Sequence, residues 1–280
     1  MRMLQMLTLS VVYSFLIACE YTPKPQSTKA LNDTVVNESH RFDQLSVDPI
    51  AHGERLVAVL GCIGCHKPDL TGEDWSDPEL GVLWTANLTH SAAEFSNEEL
   101  AVMITEGKRP DRVLIDMPSF LFTKIHPQDL TALVSYLKSL PVKGNKHPNP
   151  TIGPKLAEDI ASGEFKNAAQ QVDEKLSQSP VDLGEQHSFA RFILRATCVE
   201  CHGMDLDGNA EVLSDAPPRP SLRIIAAYSL EDFKNLMRTG KALGNRDLKM
   251  MSGVARWRYS QLTDREIEAI YNYLIKFSHH

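Results

Sequence analysis

The stretch CIGCH, residues 62–66, places two thiols and one imidazole within a single pentapeptide, and CVECH at 198–202 repeats the pattern. Four kinds of site use such groups: a disulfide, a zinc site, a thioredoxin-like redox pair and a covalent haem attachment site. The separation of Cys65 from Cys198 is far longer than the usual spacing in a zinc site built from two CxxC pairs. No βαβ pattern surrounds either motif, as a thioredoxin-like pair would require.

The histidine that directly follows the second cysteine favours haem attachment. In the C-x-x-C-H signature the two thiols form thioethers with the porphyrin, and the imidazole becomes the proximal ligand of the iron. Two copies of the signature predict two covalently bound haem c groups. The predicted attachment cysteines and proximal ligands are Cys62, Cys65 and His66 in the first motif and Cys198, Cys201 and His202 in the second.

The composition is that of a globular protein long enough for two domains, with 280 residues of which 42% are hydrophobic. The formal net charge is −7, and no block rich in Lys and Arg is present to engage phosphates. This balance argues against nucleic acid as a partner. The first half of the chain is acidic, and the second half is close to neutral.

The sequence begins with an export signal, in which Arg2 precedes a mostly apolar run that ends at Cys19. The run is shorter than the roughly 20 apolar residues of a membrane span, so residues 1–18 are predicted to be a signal peptide. The stretch LIAC, 16–19, resembles the lipobox of bacterial lipoproteins, in which the cysteine becomes the acylated first residue. The alternatives are an ordinary signal peptide with an incidental cysteine, or an uncleaved anchor.

Lipidation at Cys19 would anchor the protein on the periplasmic side of a bacterial membrane, because several acyl chains bind far more firmly than one. It would also account for the fifth cysteine of the chain, since the other four lie in the two motifs. Residues 19–49 are polar with few large apolar side chains, and they are predicted to form a flexible tether.

The similarity between the two halves extends beyond the motifs. CHKPDLTG (65–72) and CHGMDLDG (201–208) share CHxxDLxG, and residues 95–108 align without a gap on residues 228–241. The second residue of each aligned segment is a serine, Ser96 or Ser229, with an acid three residues later, which is a capping-box pattern typical of a helix start. Thr263 and Glu266 form the same pattern. A further pair of segments has the apolar periodicity of a helix and closes each copy: 127–140 and 263–277. Strand-like alternation is scarce, so the predicted fold class is all-α.

Each unit resembles a class I cytochrome c domain, in which a first helix leads into CxxCH and a methionine-bearing loop precedes a final helix. In such domains the first and last helices pack across each other, and the haem lies in a crevice. The resemblance predicts two tandem cytochrome c domains at residues 50–142 and 184–280, joined by a linker at 143–183.

The resemblance also implies a methionine as the sixth iron ligand, since electron-transfer cytochromes c usually hold the iron between histidine and methionine. In the first unit, Met117 lies in DMPSF (116–120), where class I cytochromes place this ligand. Met103 lies inside the helix expected to begin near Ser96 and is interpreted as a core residue. Met117 is therefore the predicted ligand.

In the second unit, KMMSGVARW (249–257) offers two adjacent methionines, and the MSxVA pattern resembles family members whose ligand directly precedes a serine. Met251 is therefore predicted, whereas Met204 lies too close to the motif and Met237 reads as helix core. A histidine in the sixth position is a less favoured alternative, and its candidates also read as surface or helix-cap residues: His52, His90, His126 and His187.

A narrower resemblance involves the cytochrome subunits of periplasmic alcohol and sugar dehydrogenases, which carry TPNLTP, GxRPDG and PMP motifs. This chain has TANLTH (85–90), GKRPD (107–111) and DMPSF (116–120) instead. The departures are Ala86 and His90 in place of prolines, and Asp116 in place of the first proline of PMP. The pattern therefore indicates the type of module rather than a specific partner.

These features predict a membrane-tethered periplasmic dihaem cytochrome that relays electrons between redox partners such as a dehydrogenase, an oxidase or another cytochrome. Two six-coordinate irons would leave no position for a substrate, which favours a carrier over an enzyme. The alternatives are a peroxidase-like or thiosulfate-oxidising dihaem enzyme, or a dedicated subunit of a periplasmic dehydrogenase. The acidic stretch 69–79 would suit a basic partner. The basic residues near Met251 would suit an acidic partner: Arg246, Lys249, Arg256 and Arg258.

Overall fold

A computed structural model of the protein describes residues 41–208 and 219–280. The predicted signal peptide, Cys19 and most of the predicted tether lie outside these ranges. The α-helices are α1 (Pro49–Val59), α2 (Cys62–His66), α3 (Leu88–Glu94), α4 (Asn97–Glu106), α5 (Pro127–Ser139), α6 (Pro154–Ser162), α7 (Ala168–Lys175), α8 (Ser188–Thr197), α9 (Val199–His202), α10 (Leu230–Thr239), α11 (Met250–Trp257) and α12 (Asp264–Ser278).

Helices dominate the structure, which confirms the all-α prediction. Short 3₁₀ helices cover Ser119–Leu121, Glu185–His187, Leu222–Ala227 and Tyr259–Gln261. Two small antiparallel ribbons pair β1 (Gly81–Val82) with β2 (Thr151–Ile152) and β3 (Lys241–Ala242) with β4 (Arg246–Asp247). Within the described ranges, none of the helices is both long and apolar enough to cross a membrane.

The first domain is built around the crossing of α1 and α5. Helix α1 begins with Pro49 after Asp48, whose side chain accepts a hydrogen bond from the Ile50 amide at 2.9 Å. A Cβ atom at Gly53 would lie only 2.1 Å from the carbonyl oxygen of Ala132 on α5. The two helices therefore cross at a glycine, because any other residue would push them apart.

The second domain repeats this arrangement with α8 and α12, which pack against each other and carry the fully buried side chains of Ile193 and Ile267. Thr263 caps the start of α12 and forms the predicted capping box with Glu266. The capping boxes predicted at Ser96 and Ser229 also form. These helix starts are confirmed. They could be predicted because a capping box involves only residues within one helical turn.

The linker between the domains is more ordered than the sequence alone indicates. It contains two helices, α6 and α7. Gly163 ends α6 with a φ of +78°, and Asn167 caps α7. Leu156 and Val172 are buried, and β2 pairs with β1 of the first domain. The linker therefore packs as part of the fold.

The prediction of a flexible tether extending to residue 49 does not fit residues 41–43, which contact both domains. Phe42 is 1% exposed, and its ring centroid lies 5.2 Å from that of Phe192 in the second domain. The amide of Phe42 donates to Asp129 at 2.9 Å, and the amide of Asp43 donates to Glu266 at 2.8 Å. The burial of the Phe42 ring between the domains stabilises this packing, so this part of the chain is not a free tether.

A buried ion pair joins the domains directly. Arg55 on α1 bonds to Glu266 on α12, and both side chains are almost fully inaccessible to solvent. Arg55 also donates to the carbonyl oxygens of Gln261 and Asp43, each at 2.9 Å. The folded part of the chain consequently forms one compact unit rather than two independent domains.

Replacing Glu266 with Gln tests this contact. The Glu266→Gln variant leaves the Arg55 charge buried without its partner, and we expect the free energy of unfolding to fall by about 3 kcal/mol in urea titrations. Glu268→Gln is the matched control, because Glu268 lies on the same helix and forms a part-exposed pair with Lys234. Its cost should stay below about 1 kcal/mol. Equal costs for the two variants would contradict the assignment of the domain junction to Arg55 and Glu266.

Candidate functional site

The two motifs occupy the same position in each domain, on a short helix that continues from the first long one. In the first domain, Gly61 separates α1 from α2 with a φ of +82°. In the second, Cys198 connects α8 to α9 without such a break. Both helices place the motif histidine at their last residue, where His202 is buried and His66 is half-buried.

Each motif histidine is held by one hydrogen bond to a backbone carbonyl. Nδ1 of His66 lies 2.8 Å from the carbonyl oxygen of Ala86, and Nδ1 of His202 lies 2.9 Å from that of Pro220. A carbonyl oxygen can only accept, so Nδ1 carries the proton and Nε2 presents its lone pair. Burial lowers the pKa of both imidazoles, which keeps them neutral. Neutral imidazoles of fixed tautomer are suitable iron ligands.

The loop after each motif has the same backbone path. Leu70 and Leu206 adopt left-handed conformations, with φ of +60° and +61°. The amides of Gly72 and Gly208 then donate to the carbonyl oxygen of their own motif histidine at 2.9 and 3.0 Å. A Cβ at Gly72 would lie 2.4 Å from a backbone oxygen, and one at Gly208 would lie 2.2 Å from another. The shared CHxxDLxG pattern therefore encodes a loop in which the glycine is sterically required.

The four motif thiols do not have the properties of a redox pair or a zinc site. All four are free, and within the described ranges there is no cluster of three or more metal-binding side chains. Burial raises the pKa of Cys62 to about 12 and that of Cys65 to about 11, and it also raises the pKa of Cys198 and Cys201. Reactive cysteines have lowered pKa values instead. These observations favour haem attachment over a disulfide, a zinc site or a redox pair.

The second domain contains a cavity next to its motif. Cys198, His202 and Met251 line it, and its remaining walls are mainly apolar. A porphyrin needs an apolar crevice with two thiols and an imidazole on one side. The residues present fit that group.

Met251 is among the residues that line this cavity, and it lies near the start of α11. The neighbouring Ser252 is fully buried, accepts a hydrogen bond from the Leu248 amide at 2.7 Å and donates to the carbonyl oxygen of Gly240. These bonds fix the backbone beside the methionine. Met250 is 63% exposed and points away from the core. The arrangement supports the prediction of Met251 over Met250.

In the first domain, Met117 packs half-buried against the core, just before a 3₁₀ helix. The hydroxyl of Ser119 is buried and donates to the carbonyl oxygen of Met103 at 2.9 Å, which ties this loop to α4. Met103 itself is buried in the core, as predicted. In the second domain, the sulfur of Met204 lies 3.5 Å from a guanidinium nitrogen of Arg195. Met117 stays the predicted sixth ligand.

The histidines considered as alternative ligands have local structural roles. His126 caps α5 as predicted, and Nε2 of His90 lies 3.0 Å from a carbonyl oxygen of the linker. His187 packs edge-on against an aromatic ring of α12. His52 differs from its interpretation as a surface or cap residue: it is buried, with Nε2 2.9 Å from Asp129 Oδ1.

Two features of the site could not be identified from the motifs. The carbonyl groups of Ala86 and Pro220 act through the backbone, so residue type gives little indication of their role. Arg258 was assigned to a basic surface cluster because it lies close to Met251 in sequence. It is instead 5% exposed and paired with Glu200 at 2.8 Å. Arg258 lies directly after the last turn of α11, and its side chain points into the protein.

Comparison with protein families gives one match. The family described as "Cytochrome c" matches residues 50–141 and 189–277, which together cover more than half of the chain. The two matched segments correspond to the two units described above. No curated protein sequence matches the chain.

Proposed function

This chain belongs to the cytochrome c family, and we propose that it is an electron-transfer protein with one covalently bound haem c in each of its two domains. The observation that carries the proposal is the duplicated site. In both domains a CxxCH helix presents a neutral imidazole, whose tautomer is fixed by a carbonyl 2.8 or 2.9 Å away. The same arrangement occurring twice in one folded unit is what a carrier of two haems requires.

The residues of each domain have complementary roles toward the haem. When bound, it supplies an iron that takes up and releases one electron. Cys62 and Cys65 would hold the porphyrin in the first domain, and a methionine sulfur would favour the reduced iron. The proposed axial ligand pairs are His66 with Met117 and His202 with Met251. Methionine ligation at both sites would leave no position open to a substrate, so we propose a carrier rather than a peroxidase-like or thiosulfate-oxidising enzyme.

The acidic stretch 69–79 supports a basic redox partner at the first domain. Its acidic side chains are largely exposed. Hydrogen bonds from Thr71 hold the pKa of Asp69 below its usual range, and those from Ser76 do the same for Asp74. Both groups therefore stay charged at neutral pH, where they would attract a positively charged protein. A dehydrogenase, an oxidase or another cytochrome are the proposed classes of partner.

The basic surface proposed near Met251 is smaller than the sequence indicates. Arg258 is buried, and Arg256 lies 3.5 Å from Asp247, which partly neutralises it. Arg246 and Lys249 are exposed. The support for an acidic partner at this domain is correspondingly weaker than the support for a basic partner at the other.

Haem content tests the duplicated site directly. We expect the purified protein to contain two haems per chain by pyridine haemochrome, because each domain has a complete attachment motif. The Cys62→Ala/Cys65→Ala and Cys198→Ala/Cys201→Ala variants should each retain one haem. Cys19→Ser is the control, and it should retain both.

The same samples test the axial ligands. The ferric protein should show the near-infrared charge-transfer band of histidine–methionine ligation, and Met117→Ala and Met251→Ala should each remove about half of it. A high-spin ferric component in the unaltered protein would contradict the carrier proposal. It would support the enzyme alternatives, which peroxide and thiosulfate assays would then separate.

The proposed localisation rests on the stretch LIAC at residues 16–19. We propose export and lipidation at Cys19, with the folded domains on the periplasmic side of the membrane. In a bacterial host the full chain should fractionate with membranes and incorporate labelled fatty acid. Cys19→Ser should lose the label and appear in the soluble fraction. Incorporation of label into Cys19→Ser would contradict lipidation at this residue.

A further inference from the structure

The end of α11 and the residue after it, in the second domain, lie against the haem-attachment segment of the first. A Cβ at Gly61 would lie 2.7 Å from Cζ of Arg258, and one at Gly64 would lie 2.8 Å from Cη2 of Trp257. Gly64 is one of the two variable residues inside CIGCH. The motif of the first domain is therefore in close contact with the second domain.

Arg258 binds both attachment segments at once. Its Nε donates to the carbonyl oxygen of Val59, the last residue of α1, at 2.8 Å. Its Nη1 donates to Glu200 at 2.8 Å, and its Nη2 donates to the carbonyl oxygen of Ala196 at 3.4 Å. Glu200 is a variable residue of CVECH, and Ala196 lies just before that motif. One guanidinium therefore connects the chain next to the first motif with the second motif.

The contact continues to the cavity of the second domain through Tyr259. The Arg258 guanidinium lies 5.5 Å from the centroid of the Tyr259 ring, and the Tyr259 hydroxyl donates to the carbonyl oxygen of Thr197 at 2.9 Å. Tyr259 also lines the cavity. Helix α11 begins with Met250 and Met251, so the predicted sixth ligand and the junction residues Arg258 and Tyr259 lie at opposite ends of one short helix.

The charge of Arg258 acts on both sites. A guanidinium stays protonated at any pH at which the protein is folded, and a buried charge is little screened by water or salt. Its hydrogen bonds reach Val59, three residues before Cys62, and Ala196, two residues before Cys198, so the charge lies close to both attachment segments. Glu200 offsets the charge in part, and its side chain is 32% exposed.

We propose that Arg258 is a positioning residue shared by both haem sites, which fixes the two attachment segments against each other and raises the reduction potential of both. The inference rests on the proposed function, since it requires a haem in each domain. Reduction removes one positive charge from an iron centre. A nearby fixed cation therefore favours the reduced form, and an unpaired carboxylate disfavours it.

The test is spectroelectrochemistry of the haem-loaded full chain and its variants. Arg258→Gln removes the cation and leaves Glu200 unpaired, so both potentials should fall. We expect the ferrous-to-ferric ratio at a fixed applied potential to drop about tenfold at each site, which corresponds to about 59 mV. Glu200→Gln leaves the cation without its counter-charge, and both potentials should rise. The double variant Arg258→Gln/Glu200→Gln should lie close to the unaltered protein.

Arg256→Gln is the matched control, because Arg256 lies on α11 two residues before Arg258 and its side chain is about half exposed. It should leave both potentials unchanged. If Arg258→Gln does not fold, Glu200→Gln decides the question, since it keeps the guanidinium in place.

The inference is overturned if either charge variant shifts only one potential or neither, while both haems and their methionine bands are intact. That result would leave the proposed function standing. If the unaltered protein contained only one haem, or lacked the methionine band at one site, the proposed function would be contradicted instead. The two failures are therefore distinguished by the spectrum of the unaltered protein.

Discussion

The hydrogen bond from each motif histidine to a backbone carbonyl is the contact on which the rest of each domain depends. An imidazole has a fixed tautomer and ring orientation only when its second nitrogen is bonded elsewhere. To bring the carbonyl within 2.8 or 2.9 Å, the chain must reverse soon after the motif. Leu70 and Leu206 make that reversal in the left-handed region, and the long helices pack around the loop that results.

A second constraint is the set of buried arginines that joins the two domains. Arg55 reaches Glu266, Arg195 donates to the carbonyl oxygen of Phe120 at 2.8 Å, and Arg258 donates to that of Val59. Each crosses from one domain to the other. A buried guanidinium is costly unless its donors find acceptors, so such contacts select one arrangement of the domains more than they add stability. The position of one attachment segment relative to the other is therefore set by the folding of the whole chain.

The features that could be predicted from the sequence are those that depend on neighbouring residues. The capping boxes at Ser96, Ser229 and Thr263 and the all-α class follow from local patterns, and the structure confirms them. The features that could not be predicted join residues far apart in the chain. Phe42 packing against Phe192 and the inward turn of Arg258 are examples, since hydropathy and charge patterns carry no information about distant partners.

The central claim is that one folded chain carries two electron-accepting sites, one in each domain. The most direct test is an anaerobic reductive titration of the oxidised, haem-loaded protein with a one-electron reductant, followed in the visible haem bands. The account predicts that two electrons are taken up per chain, one for each matched domain, with both irons low-spin at the start and at the end. Uptake of a single electron, or the appearance of a high-spin iron during reduction, would contradict it.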